Sequence, residues 1–274
     1  MDGRDDTGRK PATSARMYDF YLGGAHNFAA DRQAALKVIE QYPTVPAVAR
    51  TNRAFLGRAV RFLADEGVRQ FLDIGSGIPT SGNVHEIAQR AAPEARVVYV
   101  DIDPVAVAES RELLHGNDLA TAIHGDLRDP KAILADQGLL DLGRPVAVVL
   151  AAVLHFVPDD TQAYDLVDEL LAALPAGSHL VISHGAAETF LPADERTAAA
   201  RAVYTRQTST AGKPRTRQEV ERFFGPRCEL LDPGVTWAPD WRPAPGDPTD
   251  FEHDTSRSGM WAAVGRMRPA TREG

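Results

Sequence analysis

Cysteine is all but missing from this 274-residue chain: Cys228 is the single one. No internal disulfide can form, and a reducing cytoplasm is the expected compartment. Lysine is scarce too, with only Lys10, Lys37, Lys131 and Lys213 among 30 basic residues, and 38 acids bring the formal charge to −8. That balance speaks against broad nucleic-acid binding, which leans on Lys and Arg neutralising phosphates. No stretch approaches the ~18 consecutive apolar residues of a membrane-spanning helix. The opening MDGRDDTGRKPATSAR has no apolar core of a secretory signal and reads as a polar leader. None of the eight histidines falls in HExxH spacing and there is no CxxC pair, so no metal site is expected.

What is present is the composition of an ordinary globular domain, 43% apolar and 25% charged. Residues 31–41 and 46–66 have helical periodicity, the second with Val48, Asn52, Leu56, Ala59 and Leu63 along one stripe. From residue 70 the pattern changes. Short apolar runs at 70–74, 95–103, 121–126, 145–155 and 178–185 alternate with helical segments at 83–91, 104–114, 130–140 and 160–174. Such alternation predicts βαβ units around a parallel sheet covered on both faces. Asp103-Pro104 and Asp129-Pro130 each place a capping acid before a proline at the first helical position, and Thr216-x-x-Glu219 has capping-box spacing. Two more strands are expected at 228–232 and 260–267. The stretch between them holds five prolines and two tryptophans and reads as a long ordered loop outside the core.

The chemistry gathers at the ends of the predicted strands. FLDIGSGIPT, residues 71–80, ends a strand on Gly75 and Gly77, where backbone can approach a ligand closely. A dinucleotide site adds a third glycine for a pyrophosphate, and here that position is Thr80. The acids carry more information. Asp73, Asp101 and Asp126 end three successive strands and fall along one rim of a parallel sheet. Asp101 can accept both hydroxyls of a ribose, in charge-assisted bonds of roughly 1.5–3 kcal/mol each. Asp126 can take an adenine amine and Asp73 an ammonium group. Three acids repel a pyrophosphate and suit a cationic nucleoside, and S-adenosylmethionine has that chemistry.

LDIGSG, VDIDP and GDLRDP together resemble the cofactor motifs of class I S-adenosylmethionine-dependent methyltransferases. The strand ending AAVLHFV and the segment LPAGSHLVIS resemble that family's fourth and fifth strand regions. With ARMYDFYLGGAHNFAADR and ARTNRAFLGRAV ahead of the sheet, the chain is most similar to a group of S-adenosyl methyltransferases first catalogued as a domain of unknown function. The resemblance implies a Rossmann-like α/β fold: a mainly parallel seven-stranded sheet, its last strand antiparallel, helices on both faces and an N-terminal helical extension. It implies S-adenosylmethionine as cofactor, held by Asp73, Gly75, Ser76, Gly77, Asp101, Ile102, Asp126, Leu127 and Ala151. The expected division is a disordered leader at 1–15, a helical cap or lid at 16–66, the cofactor-binding domain at 67–268 and a tail at 269–274.

Methyl transfer from a sulfonium is an in-line displacement that depends mainly on positioning, so no obligatory triad marks it. His155 and Tyr21 are the candidate catalytic side chains, and Tyr18, Asn27, Phe28, Arg53 and Phe156 the candidate acceptor contacts. Arg50 shares a helix face with Arg53, His184 ends the fifth strand, and Trp237 and Trp241 are candidate covers for the cleft. The expected function is methyl transfer to a small-molecule acceptor, without nucleic acid or membrane, and a homodimer is left open. The absence of a DPPY or NPPY tetrapeptide after the fourth strand agrees with that choice. The alternative is a non-catalytic protein that binds S-adenosylmethionine or S-adenosylhomocysteine on the same fold. A nicotinamide oxidoreductase lacks its third glycine and its Tyr-x-x-x-Lys pair.

Overall fold

The computed structural model describes residues 12–79, 82–136, 138–190 and 212–269; Thr80, the site of the missing third glycine, lies outside them. Three helices come first, α1 (Ser14–Tyr21), α2 (Ala29–Gln41) and α3 (Val45–Asp65). Strands and helices then alternate: β1 (Gln70–Ile74), α4 (Val84–Ala91), β2 (Arg96–Asp101), α5 (Pro104–Leu113), β3 (Ala120–His124), α6 (Pro130–Ala135), β4 (Ala147–Ala151), α7 (Asp160–Ala172) and β5 (His179–Gly185). The described remainder is α8 (Arg217–Arg222), β6 (Cys228–Leu230), β7 (Thr236–Trp237) and β8 (Met260–Met267).

The strand order is β3-β2-β1-β4-β5-β8-β6, with β1 to β5 parallel and β8 antiparallel to both β5 and β6. The two-residue β7 pairs with β8 and brings the sheet to eight strands, one more than expected. Alternation along the strands sorts two cores. Leu72, Ile74, Val98 and Val100 face one way, and Phe71, Val97 and Tyr99 the other, against α3 and α4. By the same period Asp73 and Asp101 lie on the α3 side. Helix α3 leads down to the start of β1, so its N-terminal half, Val45 to Arg53, stands beside the carboxyl ends of the strands.

Three features differ most from expectation. The first helix starts at Ser14 with Thr13 as its cap, inside the stretch read as leader. Helix α6 stops at Ala135, not at 140, and Gly138 adopts φ +56°, a turn conformation. The proline-rich loop contributes to the core after all. Trp241 is fully buried edge-on to Phe55 and Phe62, and Arg58 binds the loop by donating to the Trp241 and Ala238 carbonyls (2.7 and 2.6 Å) and to Asp247 (2.6 Å). A buried guanidinium with three acceptors anchors the loop where hydropathy could not.

Candidate active site

The switch point of the sheet lies between β1 and β4, where crossovers diverge and ligands bind in α/β folds. A cavity of about 680 Å³ opens there, lined by the ends of β1 to β4, by α1 and by the N-terminal half of α3. The loop after β1 is folded over β2: the Gly75 and Ser76 amides donate to the Val100 carbonyl (2.8 and 3.2 Å), and Gly77 N donates to Asp101 Oδ2 (2.7 Å). Gly75 (φ +72°) is required, because a Cβ there would collide with the Val153 side chain of the β4 exit.

Asp101 also accepts the Asp103 amide (2.8 Å) on its other oxygen, and burial raises its pKa. Each carboxylate oxygen has two lone-pair sites, so capacity remains for a diol. Beside it Ile102 is 51% exposed and lines the cavity, an apolar shelf suited to a base. Asp73 is 3% exposed at the cavity wall, and no hydrogen bond reaches its carboxyl among the described residues. Burial pushes its pKa up to about 7, with the Asp101 charge adding to the rise and the Arg53 guanidinium opposing it. Asp126 is already engaged: Arg128 donates to both its oxygens (2.6–2.9 Å), which holds the carboxyl below its usual range.

The opposite wall is the exit of β4. Ala152 is left-handed (φ +52°), an uncommon conformation for a residue with a Cβ, and it turns the chain into a 3₁₀ turn, Leu154–Phe156. Arg215, fully buried, holds that turn by donating to the Leu154 and Val157 carbonyls (3.1 and 2.8 Å), to Asp160 (3.1 Å) and to His184 Nε2 (3.0 Å). His184 Nδ1 lies 2.9 Å from the Gly185 carbonyl, so its proton is on Nδ1 and Nε2 accepts from Arg215. Burial brings His184 down to about 3. The same effect, with the Arg215 charge second, brings His155 to about 4, so both rings are neutral at physiological pH.

The third wall is the N-terminal cap. Arg16 pairs with the buried Asp31 (2.9 Å) and with Asp103 (2.7 Å), and the Thr13 hydroxyl donates to Asp103 (3.1 Å). Asp103 also caps α5, so one carboxylate clasps α1 across the rim of the sheet. Ala15 lies 3.6 Å from where a Cβ on Gly77 would stand. Tyr18 donates to the Ala49 carbonyl (3.0 Å) and accepts from Asn52 (3.0 Å), which binds α1 to α3.

All nine residues expected to hold the cofactor line this one cavity, as do His155, Tyr21, Tyr18, Arg53 and Phe156. Asn27 and Phe28 do not. Asn27 donates to Asp19 (2.7 Å) and the Gly24 carbonyl (2.8 Å), locking the Gly23-Gly24 turn, and Phe28 is 44% exposed at the start of α2. Arg50 points away and pairs with Asp250. Trp237 stacks on Trp261 (3.6 Å between centroids), and neither it nor Trp241 nor His184 reaches the cavity lining. Sequence reasoning missed the clasp of Arg16 on Asp103, the Arg128 partner of Asp126 and the Arg215 staple. The first left a trace in the second acid of VDIDP and the second in GDLRDP, where Asp126 and Arg128 stand two apart; the Arg215 staple left none.

A sequence profile of the S-adenosyl methyltransferase family matches residues 3–268. The chain belongs to the S-adenosyl methyltransferase family. Its cofactor is S-adenosylmethionine, and the acid-rimmed, phosphate-averse cavity suits that cofactor. The chain is similar to a solved family protein from Streptomyces avermitilis, at 40% identity and TM-score 0.86 over 94% of this chain and 98% of that one. It is also similar to a methyltransferase candidate from Thermobifida fusca, at 37% identity and TM-score 0.84 over 94% and 96%. An O-methyltransferase family protein from Burkholderia thailandensis, 15% identical with TM-score 0.51, shares the fold over 92% of this chain and 64% of that one. Among curated proteins, a ribosomal RNA small subunit methyltransferase H from Bordetella petrii is 32% identical over 113 residues, covering 37% of this chain and 31% of the relative. This chain therefore matches less than a third of that relative's length. No helix among the described residues is long and apolar enough to cross a membrane.

Proposed function

We propose that this family member transfers the methyl group of S-adenosylmethionine to a small-molecule acceptor in the cytoplasm. The observation that carries the reading is the partition of the cavity. The groups assigned to the nucleoside, Asp101, Ile102, Asp126 and Leu127, stand at the ends of β2 and β3, and among the described residues the same cavity continues past the ends of β1 and β4 to α1 and α3. Asp101 takes the ribose, Ile102 and Leu127 flank the base, Asp73 faces the ammonium, and Gly75, Ser76, Gly77 and Ala151 let the donor lie close to the strand ends. His155, Phe156 and Tyr21 meet the acceptor. His155 meets it as a neutral imidazole, which positions a hydroxyl or amine by hydrogen bonding and is a weak base. Rate then comes mainly from alignment and exclusion of water.

The test is calorimetric titration of the protein with S-adenosylmethionine, S-adenosylhomocysteine and NAD, in wild type and Asp101→Ala. Binding of the first two and not of NAD is expected, with about a hundredfold loss in the variant, from two charge-assisted bonds of roughly 1.5 kcal/mol or more each. Equal binding of NAD, or an unaffected variant, overturns the cofactor placement. Methyl turnover on an acceptor then separates an enzyme from a protein that only holds the cofactor.

A further inference from the structure

The part of the cavity farthest from the nucleoside rim is walled by the cap. Leu22 at the end of α1, Val38 from α2, Tyr42 from the α2–α3 turn, and Val45 and Val48 from α3 line it together with Tyr18 and Tyr21. Val45 and Val48 are only half-buried although they sit between helices. Apolar side chains left partly open inside a fold mark a surface awaiting an apolar occupant. Position places this chamber next to the reaction, since the N-terminal half of α3 stands beside the carboxyl end of β1.

The charges of the cavity lie elsewhere. Asp101, Asp103, Asp126 and Arg128 sit at the ends of β2 and β3. Arg53 donates to Asn83 (2.9 Å) and acts on Asp73. Asp19 is 2% exposed and holds Asn27 at the glycine turn. No Lys, Arg, Asp or Glu stands among the seven chamber side chains themselves. Among the described residues, the cation whose charge reaches a chamber side chain is Arg53, acting on Tyr18 from beside Asn83, to which it donates; an ion left unpaired among the apolar side chains costs several kcal/mol or neutralises. Three tyrosines supply flat faces for offset or edge-on ring contacts.

We infer that the chamber beneath α1–α3 binds the methyl acceptor, and that the acceptor is an uncharged, largely apolar ring compound whose hydroxyl or amine reaches toward the β1–β4 switch point. The inference rests on the methyltransferase reading of the cavity and adds the acceptor's chemical class to it. In the transfer, the acceptor heteroatom forms a bond to the methyl carbon as the carbon–sulfur bond breaks. The sulfur keeps that electron pair, the sulfonium becomes a neutral thioether, and the acceptor's proton leaves to solvent.

The experiment loads the full protein with S-adenosylhomocysteine and titrates it with 2-naphthol and with 2-naphthoate, the same ring carrying a carboxylate. The expected result is 2-naphthol binding at least about tenfold tighter than 2-naphthoate. Val48→Trp, which fills the chamber, and Leu22→Trp, which fills it from the other side, each weaken 2-naphthol by about tenfold or more while S-adenosylhomocysteine affinity stays within about twofold. Equal or tighter binding of 2-naphthoate, no binding of 2-naphthol, or indifference to both substitutions overturns the inference. Failure of S-adenosylhomocysteine itself to bind wild-type protein refutes the cofactor placement, a separate readout taken before either probe is added.

Discussion

Asp73 destabilises the empty protein, and removing its charge reveals by how much. Its pKa stands near 7 in the folded state against an ordinary 3.8, chiefly through burial. Between those values the folded chain binds more protons than the unfolded chain, so stability falls as pH rises through the window and the loss is complete above about 7. The span corresponds to a ceiling of roughly 4 kcal/mol at 1.36 kcal/mol per unit, and water in the cavity lowers it. Asp73→Asn carries no such penalty. The variant without cofactor is expected to match wild type near pH 4 and to exceed it at pH 8, by up to about 8 °C in melting temperature at roughly 2 °C per kcal/mol. His155 and His184 titrate in both proteins and cancel in the difference. The assay is a melting series from pH 4 to 8 on both proteins, repeated with S-adenosylmethionine. The cofactor's ammonium restores to wild type what the variant gains by mutation, so the ligand-induced shift is larger in wild type. Parallel stability curves for the two proteins refute the reasoning.

Arg128→Ala leaves Asp126 with only the residue-128 backbone amide and, because the ion pair is exposed, changes stability by less than about 0.5 kcal/mol while tightening cofactor binding by calorimetry. Unchanged affinity removes Asp126 from the adenine site. Gly24→Ala drives a Cβ into the Asp19 carboxyl and costs about 1–3 kcal/mol in a urea titration, together with a loss of cofactor affinity if the cap roofs the site. Arg58→Ala leaves Asp247 with only the Ala244 amide, takes the guanidinium donor from two carbonyls and costs about 3–5 kcal/mol by chemical denaturation.

The strand–helix alternation and the acids at the strand ends were legible because both are local: period-two and period-3.6 patterns, proline-capped helix starts and a carboxylate after each apolar run. The clasp of Arg16 on Asp103 and the staple of Arg215 under the 154–157 turn join residues 87 and about 60 positions apart, and no local pattern encodes a partner at that range. Asn27 looked like a ligand contact because it is polar and stands in a distinctive motif. It serves instead to fix the glycine turn through Asp19. Trp241 looked like a loop aromatic because prolines surround it, and only the approach of Phe55 and Phe62 on α3 makes it core.

The shared carboxylate of Asp103 has a practical consequence. Helix α1 stands over the glycine loop, with Ala15 beside Gly77, and Arg16 ties it through Asp103 to the rim proposed to hold the ribose, so on that placement release of a bound nucleoside is expected to be coupled to parting of the clasp. Protein purified from cells is then expected to carry some of its own ligand, read as an absorbance near 260 nm. A spectrum of the acid-released supernatant precedes any titration, because sites already filled count as sites that do not bind.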